Sequence, residues 1–185
     1  MINKQNCMNN LNKNYSLDDS GRIVIDMVVK DDSDFLSVFS ANQTPVISSD
    51  VAEFIENSTH SIRAGEPLTL RIKSNCIDKD EKELYKKAIK EYYSERYVAG
   101  ARELKRNNVT SLILALAGIF ALIVALFLQY SFDSLIWAEV VDIAAWVFLW
   151  ETVDIIFFKT RHLRNNQKRY ASFINMNIEY QDITN

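Results

Sequence analysis

The strongest pattern in the chain is a pair of long apolar runs. They cover residues 109–132 and 135–158, are separated by Asp133 and Ser134, and contain no Lys or Arg. Each run is 24 residues long. At about 1.5 Å per residue, a helix of that length can cross a hydrocarbon core about 30 Å thick. The pattern therefore predicts two transmembrane helices joined as a hairpin.

Shorter strand and helix patterns precede the runs. Residues 1–20 are rich in Asn and poor in apolar side chains, and we predict that they are disordered. Residues 21–77 predict a small α/β domain, with strands at 22–30 and 68–74 and a helix at 49–61. In the second strand the alternation places Leu68, Leu70 and Ile72 toward the core and Thr69 toward water.

Residues 78–108 predict an amphipathic helix that leads into the first apolar run. Asp78 is the expected N-cap, and Glu81 three residues later completes a variant of the capping box. No proline interrupts the chain before Phe132, so one continuous helix is expected. Its apolar stripe comprises Tyr85, Ala88, Ile89, Tyr92, Tyr93 and Val98.

Residues 159–180 predict a third amphipathic helix, because apolar side chains recur there at three- or four-residue spacing. We expect it to lie antiparallel against residues 81–107. The predicted fold class is an α-helical membrane protein, with a two-span antiparallel hairpin, cytoplasmic helical extensions and a small N-terminal α/β cytoplasmic domain.

The charges are unevenly divided along the chain. Residues 109–158 hold five acids and no bases, whereas the other 135 residues hold 19 acids and 21 bases. This mixed, weakly basic remainder argues against a nucleic-acid partner. The two cysteines, Cys7 and Cys76, lie far apart without other Cys or His at ligand spacing, so neither a metal site nor a disulfide framework is expected.

Basic residues flank the hairpin on one side only. Nine lie just before the first run or just after the second, and the connecting turn has none. The positive-inside rule therefore predicts a multi-pass protein with both termini in the cytoplasm. The residues expected to set this topology are Arg102, Lys105, Arg106, Lys159, Arg161 and Arg164.

The second run carries the main candidate for chemistry, an acidic face formed by Glu139, Asp142, Glu151 and Asp154. At about 100° per residue, all four carboxylates fall within one half of the helix circumference. A charged side chain inside a bilayer is costly, by about 2.5 kcal/mol or more on insertion scales, unless it is protonated, hydrated or paired.

Two interpretations of this face remain open. In one, a homo-oligomer lines an aqueous path with stacked carboxylates that attract cations or relay protons. In the other, the face is structural. Glu151 and Asp154 would then pair with Lys105, Arg106 or Lys159, and Glu139 and Asp142 would bond to Gln129, Tyr130 or Ser131.

The first run carries a candidate helix-packing face. Ala117, Ala121 and Ala125 recur at four-residue spacing, with Ser111, Ala115 and Gly118 on an adjacent line. Small residues spaced in this way let two helices approach closely in lipid. We expect the face to form the contact within the hairpin.

The layout resembles the mitochondrial calcium uniporter family, which also has an α/β domain, a coiled helix and two spans with acids and Trp in the second. That family's Trp-Asp-x-x-Glu-Pro motif is absent here, where the chain reads WAEVVD from Trp137, so no residue role is carried over. The segments PVISSDVAEFIEN, LTLRIKSNCIDKDEKELY and EVVDIAAWVFLWETVDIIFF are similar to a family of uncharacterised bacterial two-span membrane proteins. This resemblance implies the architecture and the bacterial inner membrane, but no activity.

No catalytic motif is found in the sequence: it has no Gly-rich phosphate loop, GxSxG, HExxH or Cys–His pairing. We therefore expect no enzyme activity, cofactor or metal. The function predicted is that of an oligomeric membrane scaffold or accessory protein, with a cation or proton channel as the alternative. The expected partners are the lipid bilayer and further copies of the chain, and a protein partner of the cytoplasmic domain is left open.

Overall fold

The computed structural model describes residues 15–40, 44–132 and 135–183. The predictions for residues 1–14 and for the Asp133-Ser134 break lie outside this part. The described residues divide into two compact units. The sheet unit comprises those up to Tyr97 together with those from Lys168 onward, and the apolar unit is Val98–Gln167.

The described part is mostly helical, with three short strands. In chain order the elements are β1 (Ile23–Val28), α1 (Ser49–Ser58), β2 (Leu68–Lys73), α2 (Lys79–Phe132), α3 (Leu135–Asp154), a π-helical turn (Ile155–Lys159), α4 (Thr160–Ile174) and β3 (Asn177–Gln181). Helix α2 is continuous for 54 residues, as its sequence predicts.

The three strands form one parallel sheet in the order β1-β2-β3. Ile23 pairs with Leu68 across the first strand pair, and Thr69 pairs with Asn177 across the second. A parallel pair needs a crossover connection. Helix α1 lies within the first crossover, and the entire helical segment from α2 to α4 lies within the second.

Strand β3 departs from the sequence prediction. The helix expected over 159–180 ends at Ile174, and Asn177–Gln181 pairs with β2 instead. Ile174 and Ile178 are four residues apart, which continues the helical spacing, but Ile178 is buried in the sheet unit as a strand residue. The α/β domain predicted at residues 21–77 is therefore completed by residues from the far end of the chain.

β2 is the central strand and pairs with a neighbour along each edge. Leu68, Leu70 and Ile72 are buried as predicted. Thr69 was expected to face water, yet it is fully buried, and its hydroxyl donates a 2.6 Å hydrogen bond to the Asp18 carboxylate. Asp18 belongs to the segment predicted as disordered. The same stretch contacts β1, where the Val24 amide donates to the Ser16 carbonyl.

The starts of α1 and α2 follow the capping signals in the sequence. The Ser48 side chain accepts a hydrogen bond from the Val51 amide, and the Glu81 carboxylate accepts one from the Asp78 amide. The stripe predicted on α2 forms much of the core. Tyr93 is fully buried with Phe173 of α4 against it, their ring centroids 4.6 Å apart, whereas Val98 is exposed.

The apolar unit is packed through small residues. The buried positions along α2 and α3 recur every seven residues: Ser111, Gly118 and Ala125 on α2, and Ala138, Ala145 and Thr152 on α3. A Cβ added at Gly118 would lie 2.9 Å from the Leu149 side chain and 3.3 Å from the Ala145 carbonyl oxygen. The two helices therefore approach at backbone distance along this seam.

The predicted packing face overlaps the seam only in part. Ala125 is buried, but Ala117 and Ala121 are half-buried. On the line that the sequence placed beside them, Ser111 and Gly118 are buried and Ala115 is half-buried. Seven-residue spacing keeps one narrow stripe toward the partner helix, whereas four-residue spacing drifts around the helix by about 40° per step.

Candidate functional site: the acidic face of helix α3

The four predicted acids lie in two pairs toward opposite ends of α3. Glu139 and Asp142 lie in its first half, and Glu151 and Asp154 lie in its last turn. Glu139 and Glu151 are exposed, while Asp142 and Asp154 are half-buried. The structure thus separates one predicted face into an upstream acid pair, Glu139 and Asp142, and a downstream acid pair, Glu151 and Asp154.

The downstream acid pair shares one base. The Lys159 ammonium lies 3.0 Å from a Glu151 carboxylate oxygen and 3.2 Å from an Asp154 carboxylate oxygen. Of the three bases that the sequence offered for this role, the structure selects Lys159. The three side chains form a small ion-pair network with one net negative charge.

The π-helical turn explains why Lys159 is available. In a regular α-helix, residue 159 would follow Thr152 by seven positions and would continue the buried line of the seam. The wider turn at Ile155–Lys159 adds one residue, so that Thr160 is buried and Lys159 is exposed. Sequence periodicity gives no sign of this insertion.

The upstream acid pair has no such base. Within the described residues, Glu139 and Asp142 make no salt bridge, and no hydrogen bond joins them to Gln129 or Tyr130. The third predicted partner, Ser131, has no described side chain. The bonding predicted across the hairpin is therefore not found in the described part of the chain.

Two tryptophans accompany the upstream acid pair. Trp146 is 62% exposed and Trp150 is 73% exposed. In the described structure, neither indole N–H donates a hydrogen bond. At about 100° per residue, Trp146 lies about 40° around the helix from Asp142 and about 20° from Glu139. Carboxylates and indole N–H groups without a partner among the described residues thus lie on one side of α3.

The predicted topology residues surround the ends of the apolar segments. Apart from Lys159, these residues are exposed and make no salt bridge to any described acid: Arg102, Lys105, Arg106, Arg161 and Arg164. This end of the apolar unit therefore carries uncompensated positive charge.

The sheet unit contains a groove of about 490 Å³ beside the carboxyl end of β1. Its lining includes the apolar residues Val28, Phe35 and Phe54. The charged lining residues are one base and three acids: Lys30, Asp31, Asp34 and Asp50. Two acids of the 31–34 turn have intramolecular partners. The Asp31 carboxylate accepts from the Ser33 amide at 3.1 Å, and the Asp32 carboxylate accepts from the Tyr85 hydroxyl at 3.1 Å.

Burial and the bond to Asp32 both raise the pKa of Tyr85, so this phenol stays a hydrogen-bond donor at physiological pH. Across the described residues, no group of three His, Cys, Asp or Glu is arranged to hold a metal ion.

One helix in the described part, Lys79–Tyr130, is long and apolar enough to cross a membrane. Only 17% of its most apolar stretch is buried, unlike the core helix of a soluble protein. Helix α3 has four carboxylates in 20 residues. Comparison with protein families, curated proteins and solved structures finds no match to this chain.

Proposed function

We propose that this protein is a two-span membrane scaffold of the bacterial inner membrane, with both termini in the cytoplasm and its α/β sheet unit held at the membrane surface. One observation carries the proposal. Strands β2 and β3 are neighbours in one sheet, yet the apolar helices lie between them in sequence.

The sheet supports an even number of membrane crossings. β2 precedes the apolar unit and β3 follows it, and parallel pairing places both strands on the same side of any bilayer. The intervening segment must therefore cross zero times or twice. The exposed apolar surface of α2 favours crossing, because such a surface in water would be an aggregation hazard. Helix α3 is then the returning span.

The exposed residues of the apolar unit fit a lipid environment. Large apolar side chains stand outward along both helices, among them Leu116, Phe120, Ile143 and Val147. Trp137 and Tyr130 lie near the connecting turn, where aromatic side chains favour the membrane interface. The uncompensated bases at the opposite end favour the cytoplasmic side.

The scaffold role is proposed from the groove of the sheet unit. It combines apolar residues with three acids and one base, a net acidic lining that suits a protein segment bearing apolar and basic side chains. A domain fixed to the membrane at both ends of a hairpin would present this groove at the cytoplasmic surface.

Cysteine labelling tests the topology. In a Cys7→Ser background, Cys76 reports on the sheet unit, where it is exposed, and Ser134→Cys reports on the turn. A membrane-impermeant maleimide added to intact cells should label the turn cysteine, and Cys76 should react only after the inner membrane is permeabilised. Labelling of both sites, or of neither site, before permeabilisation would contradict the proposed arrangement.

The channel alternative rests on a narrower observation: within the described residues, the upstream acid pair has no base beside it. If Glu139 and Asp142 line a cation path, a Glu139→Gln/Asp142→Asn variant in liposomes should lose most cation flux. A Glu151→Gln/Asp154→Asn variant should lose less, because Lys159 already offsets those charges. No flux from the unmodified protein would dismiss the alternative.

A further inference from the structure

Lipid can cover the exposed apolar side chains of α3, but it cannot satisfy the polar groups among them. Hydrocarbon offers no hydrogen-bond donor to the Asp142 carboxylate and no acceptor to the Trp146 indole N–H. Within the described residues, neither group has a hydrogen-bond partner. This inference rests on the proposed membrane location. If α3 spans the bilayer, the two groups need hydrogen-bond partners that only another protein segment can supply there.

The chemistry of the face restricts that partner. Residues 109–158 contain no Lys or Arg, so a second copy of the chain cannot supply a base. A second copy can supply the complementary hydrogen bond, because the same face carries both an acceptor and a donor. Asp142 and Trp146 lie one helical turn apart, about 6 Å along the axis.

The direction in which the side chains lean favours a hydrogen bond from Trp146 of one copy to Asp142 of the other. Two copies with the same topology are related by a twofold axis along the membrane normal, so that equal positions lie at equal depth. Long side chains on a helix lean toward its N-terminus, which brings the indole at position 146 toward the level of position 142. Each Trp146 can then donate to the Asp142 of the other copy.

We propose that the face of α3 formed by Glu139, Asp142, Ile143, Trp146 and Trp150 is a self-association surface. Two copies pair through it in the membrane, with reciprocal Trp146–Asp142 hydrogen bonds. The centre of the face lies about 100° around α3 from the seam through Ala138 and Ala145, so both contacts can exist at once. Half-buried Asp142 lies at the edge of the face nearest the seam.

Disulfide cross-linking in native membranes tests the surface. In a Cys7→Ser/Cys76→Ser background, Ile143→Cys places a thiol on the proposed surface. Phe120→Cys is the matched control, because Gly118 lies against Ala145 and position 120 is therefore close to the depth of position 143. Both side chains are well exposed. Under oxidation, the first variant should form a covalent dimer, and the second should stay at background.

A second measurement isolates the hydrogen bond. Trp146→Phe removes the donor and keeps an aromatic ring, and Trp137→Phe makes the same change outside the proposed surface. Energy transfer between labelled copies in vesicles should show dimerisation weakened roughly three- to fifteen-fold for Trp146→Phe, the range measured for interhelical polar contacts. Trp137→Phe should match the parent.

The outcomes separate this inference from the proposed function. If the cysteines at the turn and at position 76 do not show the expected labelling pattern, the proposed membrane topology is wrong. With that pattern intact, equal cross-linking at positions 143 and 120 overturns the self-association surface, as does a strict monomer at every protein-to-lipid ratio. Equal effects of the Trp146→Phe and Trp137→Phe changes would remove the reciprocal hydrogen bond.

Discussion

The two units of this chain are packed in opposite ways. In the sheet unit the largest side chains are inside, with Tyr93 and Phe173 fully buried. In the apolar unit most large side chains are outside, and the buried ones, apart from Ile155, are small, with Ala145 fully buried and Trp150 exposed. The size of the buried side chains therefore differs between the two units: it is large in the sheet unit and mostly small in the apolar unit.

The proposed membrane location accounts for this difference, because the two units would then fold in different solvents. In water, removing apolar area from the solvent contributes about 25 cal/mol per Å², so large apolar side chains are buried. In lipid that driving force between helices is lost, and close backbone approach through small residues stabilises the contact instead. The inverted packing of the apolar unit is the arrangement that the proposed membrane location predicts.

The largest contrast should come from removing a large aromatic ring in each unit. Phe173→Ala should destabilise the sheet unit by about 3–5 kcal/mol, because it leaves a cavity beside Tyr93. Phe120→Ala removes an exposed ring from the apolar unit and should cost little. Urea unfolding in detergent, followed by tyrosine near-UV circular dichroism for the sheet unit, measures the first effect. Equal losses for both variants would refute the inverted packing.

Enlarging a small residue should give the converse result. Ala145→Leu places a bulky side chain in the seam opposite Gly118 and should cost about 1–3 kcal/mol. Ala144→Leu makes the same change one position earlier, where the side chain is exposed. Thermal unfolding of the apolar unit, followed by tryptophan fluorescence, should separate these neighbours. All three tryptophans lie in that unit, at positions 137, 146 and 150.

The ion pairs provide a smaller test. Lys159→Gln leaves Glu151 and Asp154 without their base and should lower the stability of the apolar unit slightly, because these half-exposed charges are screened by solvent. Arg161→Gln removes a base that pairs with no described acid and should have less effect on stability. The protease-resistant fraction after reconstitution compares the two variants. A loss from Arg161→Gln as large as that from Lys159→Gln would assign the effect to overall charge.

The smallest predicted effect is on the stability of the sheet unit at acid pH. The hydrogen bond from Thr69, and then that from the Arg22 amide, hold the pKa of Asp18 below its usual value of 3.8. Because the folded pKa is the lower one, this stabilisation is present above pH 3.8 and is lost as the pH falls through the folded value. Asp18→Asn should flatten the fall in stability below pH 4 or so. An unchanged acid profile would exclude this role for Asp18.

Local signals predicted much of the fold. The caps at Ser48 and at Asp78 with Glu81, the alternation in β2 and the proline-free run to Phe132 each act within a few residues, and the structure follows them. Burial of Thr69 was missed because the segment around Asp18 covers this end of the face, a long-range contact that alternation does not show. Arg71 and Lys73, on the same face, are partly exposed.

The remaining features depend on parts of the chain that meet only in the fold. β3 was taken for helix because Ile174 and Ile178 keep helical spacing, and its pairing with β2 involves residues about 100 positions away. At the site, the sequence identified the acids but could not choose among Lys105, Arg106 and Lys159. The choice follows from the one-residue insertion at Ile155–Lys159, which shifts the register of the seam.

The position of β3 in the chain also has a consequence for biosynthesis. A ribosome makes β2 before both apolar helices and β3 after them. Until the second helix has returned, the sheet unit lacks β3 and the buried residues Phe173, Met176 and Ile178. Under the proposed topology, a chain stranded with its C-terminus on the wrong side could never supply them. Completion of the sheet would then depend on correct insertion, and an incomplete sheet unit would mark misinserted chains for degradation.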